Sequence, residues 1–196
     1  MKVSFKRRLI AYIIDLALLS ILVTLTLVIF PNDKKEIKQI NNNINIITED
    51  LLNDKIDNSQ YLNMYAKYNY KLEKKQIKTN VLNLIYIIFL YILVPFFAGG
   101  QTIGKIVTKI KIVNEDNTDI QFNKLIIRSL FVNFLIYPIV TIPLIYLFSA
   151  KIYFILSLFL ILIEFLLVLF TIFMVLYRHD RKGIHDILTK TKIIKL

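Results

Sequence analysis

Two carboxylates in this sequence stand where water is scarce. Asp15 lies in the apolar run from Leu9 to Phe30, and Glu164 sits near the middle of the run from Ile152 to Tyr177. An ionised carboxylate at the centre of a bilayer costs about 3 kcal/mol on the most lenient scales, so such a residue needs a partner or a task. The chemistry open to it is proton or cation binding, or an ion pair that fixes helices against one another. Arg8 precedes Asp15 by two helical turns on the same face, about 10 Å along the axis, which suits a polar stripe facing a bundle interior better than direct contact. Arg128, near the start of a third apolar run, is a candidate counter-charge for either acid.

Other groupings promise less. His179, Asp180, His185 and Asp186 could be imagined as a metal or hydrolase set, but the two His are six apart and do not share a helix face. They read as solvated tail residues or local caps. Gly99, Gly104 and Lys105 fall at P-loop spacing, yet Ile106 stands where Ser or Thr must reach magnesium, and an apolar span precedes the segment where a sheet strand should. Nucleotide binding is therefore rejected, and the glycines are expected to let the chain turn at the membrane surface. With no Cys there is no disulfide, thiolate ligand or cysteine nucleophile. No motif supplies a nucleophile, metal or cofactor site, so neither an enzyme nor a cofactor is expected.

The elements that must carry the buried charges are long and apolar. Mean hydropathy is +0.59 and 56% of residues are hydrophobic, gathered in blocks of the length a helix needs to cross about 30 Å of hydrocarbon. These patterns predict an all-α integral membrane domain over residues 1–196, with spans at about 9–30, 81–98, 125–148 and 152–177. The first block follows Lys2, Lys6, Arg7 and Arg8 but is too long for a signal core and has no small-x-small cleavage site before Pro31, so an uncleaved span is expected. Pro95 favours a kink or stop in the second, while Arg128, Asn133, Pro138 and Pro143 make the third the least regular, open to being broken or re-entrant.

Between the first two spans, residues 31–80 are expected to form an extracytoplasmic hairpin of amphipathic helices. Ile37, Ile40, Ile44, Ile47 and Leu51 share one helical face, and Tyr61, Tyr65, Tyr68 and Leu72 repeat the pattern beyond the polar turn Asp54 to Ser59. Short alternating segments at Ile110 to Val113 and Thr191 to Ile194 are candidate strands that could pair on the cytoplasmic face. Four spans put both termini on one side with Arg7, Arg8, Arg128, Arg178 and Arg181, which marks that side as cytoplasmic; the nine Lys of the hairpin argue the other way. The net charge of +11 points to anionic lipid headgroups, because the Lys and Arg flank apolar blocks and no nucleic-acid motif accompanies them.

Three separated motifs give the chain a resemblance to the RDD family of bacterial membrane proteins, named for one Arg and two Asp. The first is Arg8, Ala11, Ile14 and Asp15; the second is Gly100, Gln101, Thr102, Ile103, Gly104 and Lys105, followed by Ile110 to Val113 and Arg128; the third is Gly183, Ile184, His185 and Asp186, then Thr191. By this resemblance the named residues would be Arg8, Asp15 and Asp186. Two departures stand out, the 31–80 hairpin, which looks like an insertion, and Lys190 where a small residue is expected. The resemblance implies a multi-pass protein of the bacterial cytoplasmic membrane whose role is poorly defined, a few members being proposed to exchange Na⁺ or another cation for protons. Asp15 and Glu164 would then bind the cation or proton, in a homo-oligomer, since four spans are few for a pathway. The alternative is a scaffold that docks a partner protein through the apolar face of the hairpin.

Overall fold

The computed structural model describes residues 3–29 and 34–196. Lys2 of the basic flank, Phe30 at the close of the first run and Pro31 to Asp33 at the head of the hairpin lie outside the described residues. Helix α1 spans Phe5–Ile29, α2 Lys34–Leu52 and α3 Asn58–Lys75; α4 (Ile77–Ile88) runs through a π-helical turn (Phe89–Leu93) into α5 (Val94–Phe97). Then come α6 (Ile103–Val107), strand β1 (Ile110–Asn114), α7 (Phe122–Val132), α8 (Ile136–Leu147), α9 (Ala150–Tyr177), α10 (Ile184–Leu188) and strand β2 (Thr191–Lys195).

Among the described residues three helices are long and apolar enough to cross a bilayer: α1, the continuous Ile77–Phe97 and α9. Their burial is inverted relative to a water-soluble helix. Along α9 the buried positions are Tyr153, Ser157, Glu164, Thr171 and Val175, while Phe159, Leu162, Phe165, Leu166, Phe170 and Phe173 face outward. Helix α1 likewise buries Ala11, Asp15 and Thr26 and exposes Ile13, Ile21, Leu25 and Val28. Apolar groups turned outward around polar ones turned inward fit hydrocarbon as the surrounding solvent. The protein is an all-α membrane bundle with one small sheet.

The third apolar block, expected at 125–148 and open to being broken or re-entrant, is bent in the structure. It divides into α7 and α8, inclined at 77°. The break falls at Asn133 to Leu135, where Phe134 takes a left-handed φ of 51°, and not at either proline. Pro138 sits in the first turn of α8, where a missing N–H costs nothing because first-turn donors have no intrahelical partner. Pro95 acts differently in the second span. Lacking an N–H, it leaves the Tyr91 carbonyl free of its helical donor; the chain relaxes into a π turn, with Val94 N–H donating to the Phe89 carbonyl, and Ser129 Oγ donates to the Tyr91 carbonyl at 3.4 Å.

Helices α2 and α3 fold back on one another at one end of the bundle. Ile40 and Ile47 are buried and Ile37, Ile44 and Leu51 partly so, which places the apolar stripe inside the hairpin. Asp57 and Gln60 form a reciprocal capping box at the start of α3, and Lys75 pairs with Glu36 to tie the open ends together. The tyrosines of α3 seat the hairpin on the spans: Tyr70 packs on Tyr153 and donates to the Ile145 carbonyl at 2.8 Å, and Tyr65 packs on Phe154. At the opposite end, β1 and β2 pair antiparallel in the register Ile110 with Lys195 through Asn114 with Thr191. One face of this ribbon, Ile110, Ile112 and Ile193, joins Ala11, Ile92, Leu125 and Leu135 in the hydrophobic core.

Candidate functional site

The sheet end gathers the charged residues singled out in the sequence. Asp15 is buried at 4% exposure and its carboxylate is fully engaged: Oδ2 accepts from Thr102 Oγ1 at 2.6 Å and Oδ1 from the Gly104 N–H at 2.7 Å. Thr102 also caps α6, accepting from the Lys105 N–H at 3.3 Å. Helix α6 is thereby held against α1, and the fit requires glycine, because a Cβ at position 104 would stand 2.0 Å from the Ala11 carbonyl oxygen. Two of the sequence motifs thus meet as one joint. Just before it, Gly99 and Gly100 turn the chain with φ of 59° and 91°, and a Cβ at Gly100 would strike the Ile112 carbonyl.

Asp186 is the second focus. It is wholly buried and pairs with Arg128, which also donates to Thr191, while Arg8 Nη1 stands 3.5 Å and His185 Nε2 3.4 Å from the same Asp186 carboxylate. The Gly183 N–H donates to the same carboxylate at 3.1 Å. Burial by itself would raise Asp186, but the charge of the Arg128 guanidinium overcomes it and holds the carboxyl well below the ordinary range. Burial lowers His185 from 6.5 to about 3, against the attraction of Asp186, so the imidazole is neutral near pH 7. Lys105 is lowered by burial to about 8.

These positions correct two expectations. Arg128 partners neither Asp15 nor Glu164: it pairs with Asp186, while Asp15 bonds to Thr102 and Gly104 and Glu164 to the start of α8. Among the described residues no Lys, Arg or His pairs with Glu164; at 2% exposure it accepts from the Tyr137 N–H at 3.0 Å and so caps the first turn of α8. An acid in the middle of the chain's most apolar helix therefore satisfies the backbone donors exposed by the broken span. His185 and Asp186 are not solvated tail residues, since both are buried, although Asp186 does act as a local cap. His179 and Asp180 do not join them; Asp180 forms a two-bond pair with Arg178 at 3.0 Å. Lys190, the departure from the family pattern, follows α10 with a left-handed φ of 51°, a conformation that glycine takes without steric cost.

A cavity of about 230 Å³ lies between α1, α7 and α9 and is walled by Arg8, Asp15, Lys105, Arg128 and His185 together with largely apolar groups. Sequence reasoning passed over two residues that line it, Tyr91 and Thr171, whose hydroxyls are buried without a hydrogen-bond partner. An isolated Tyr or Thr in an apolar run carries no signal of its own; the proline four residues after Tyr91 was the available hint.

Among the described residues no group of three or more His, Asp or Glu could hold a metal ion. No curated protein and no solved structure matches the chain. One family does, over residues 2–190, a stretch that takes in Arg8, the Asp15 to α6 joint, Arg128 and Asp186. The chain belongs to the RDD family.

Proposed function

We propose that this chain is a small-solute transporter, or the membrane component of one, working as an oligomer or within a complex in the bacterial cytoplasmic membrane. The cavity beside Asp186 is the solute site. One observation carries this reading: a space large enough for a ligand, walled largely by apolar groups with Arg8, Asp15, Lys105, Arg128 and His185 among them, lies inside a bundle whose exterior is apolar. The scaffold reading falls behind it, because the apolar stripe of the hairpin that would dock a partner is covered by α3. The sheet end is assigned to the cytoplasm on the placement of the arginines.

Two experiments test the reading. Proteoliposomes given Na⁺, K⁺, proton, phosphate or carboxylate gradients should show flux for at least one solute, and Val168→Trp, which fills the cavity, should abolish it. Absence of flux in the wild type, or flux that Val168→Trp leaves untouched, rejects transport through this cavity. For orientation, single cysteines at Asn58 and Asn117, both exposed in a chain without Cys, should label from opposite sides, Asn117 from the cytoplasm. Labelling of Asn117 from the outside and Asn58 from the cytoplasm reverses the assignment, and labelling of both from one side rejects the topology.

A further inference from the structure

Arg8, Lys105 and Arg128 face the cavity, Asp15 is the carboxylate among its lining residues, and Asp186 stands just behind the wall against Arg8 and Arg128, so cations outnumber carboxylates by one. Asp15 is tied to the fold, since both its oxygens accept hydrogen bonds, from Thr102 and from the Gly104 N–H. Donors, by contrast, are in surplus. Nε of Arg8 is buried and makes no hydrogen bond, while its Nη1 is turned to Asp186 at 3.5 Å; the hydroxyls of Tyr91 and Thr171 are buried and unbonded as well. Buried donors without acceptors are costly, and a bound oxyanion would satisfy them.

The rest of the wall is apolar, and it reaches the outer surface of the bundle. Leu9 of α1 and Ile172 of α9 line the cavity and are also exposed on the surface that faces hydrocarbon. Helix α1 packs on α4 and α6, whereas α9 packs on α3, α7, α8 and α10; α1 and α9 make no extensive contact, and the cavity lies between them. A ligand could enter from the side with its tail among these apolar groups.

We propose that this cavity binds the oxyanion of an amphiphile, a phosphate or carboxylate head held by Arg8 with the hydroxyls of Tyr91 and Thr171, its tail lying between α1 and α9. This rests on the cavity being a ligand site, as in the function proposed above, and adds the ligand's charge and shape. The buried, unbonded donors set it apart from the general attraction of Lys and Arg to headgroups, which acts on the lipid-facing rim.

The full-length protein, purified in a neutral detergent, should be titrated in native mass spectrometry and thermal-shift measurements with a phosphoglycerol lipid, a phosphocholine lipid, inorganic phosphate and NaCl. The phosphoglycerol lipid is expected to bind at least about tenfold more tightly than the phosphocholine lipid. Tyr91→Phe and Thr171→Val remove hydroxyls that bond to nothing in the fold, so they should melt like the wild type while each weakens the anionic lipid by about tenfold, the weight of one hydrogen bond to a charged group. Arg8→Gln should weaken it further, and Lys6→Gln, on the exposed surface nearby, should not. Competition by inorganic phosphate would identify a soluble oxyanion as a second source of the same chemistry; no competition would leave the lipid as the source. Equal binding of the two lipids, or wild-type binding by both hydroxyl variants, overturns the proposal. A response to NaCl alone overturns it while leaving the cavity as a solute site, and no response to any of the four removes both.

Discussion

Arg128 of α7 and Asp186 of α10 form a buried ion pair across 58 positions of sequence. Through it the segment after α9 is folded back onto the bundle, and because Arg128 also reaches Thr191 at the first position of β2, the same guanidinium anchors the ribbon. Breaking a buried pair leaves an uncompensated charge, which costs more than the pair itself contributes. Asp186→Asn should therefore destabilise the protein by about 3–5 kcal/mol, with Arg128 and Arg8 both left facing a neutral amide. The double replacement Arg128→Met with Asp186→Leu should lose less than Asp186→Asn alone. Unfolding of the detergent-solubilised variants measures both, and a single mutant as stable as the wild type would show that the pair holds nothing.

At Gly104, alanine meets the Ala11 carbonyl oxygen at 2.0 Å, a backbone atom that cannot swing away. Separating α6 from α1 also stretches the bonds from Thr102 and Gly104 to Asp15. Gly104→Ala should cost about 1–3 kcal/mol, whereas Gly99→Ala, with open space around its Cβ, should incur only the strain of its positive φ. Comparison of the two melting temperatures checks the order.

His185 gives the fold an acid sensitivity above the range in which carboxylates titrate. Its value falls from 6.5 in an open environment to about 3 in the fold, chiefly through burial. Between those values the unfolded chain binds a proton that the folded chain refuses, so stability is full above about pH 6.5 and declines as the pH falls below it. The slope should approach one proton, roughly 1.4 kcal/mol per pH unit, between about pH 5.5 and 4. Asp186, held low, adds its own loss only below the ordinary carboxyl range. Melting curves of the wild type and His185→Gln from pH 8 to 4 should converge toward the acid end; parallel curves would locate the proton uptake elsewhere.

Glu164 caps α8, and an uncharged acceptor of the same length can do the same work. Glu164→Gln should keep the bond from the Tyr137 N–H and change stability little. Glu164→Leu leaves that donor unpaired inside the bundle and should cost about 1–3 kcal/mol. Thermal unfolding of the two variants in one detergent separates them, and equal losses would show that the charge is what matters.

The sequence by itself determined the solvent and most of the helices. Runs such as Ile152 to Tyr177 can only be placed in hydrocarbon, the stripe from Ile37 to Leu51 predicts the inner face of the hairpin it occupies, and the alternation at Ile110 and Thr191 marks two strands that do pair. Each of those signals is local, repeated every two to four residues along one element. Partners of the charged groups are not local. Arg128 could be assigned to Asp15 or Glu164 as reasonably as to Asp186 until the bend at Phe134 and the return of the chain after α9 fixed which carboxylate it meets. The same holds for the cavity: Tyr91 and Thr171 are single polar letters in apolar runs, and only the separation of α1 from α9 puts both residues and Arg8 on the wall of one space.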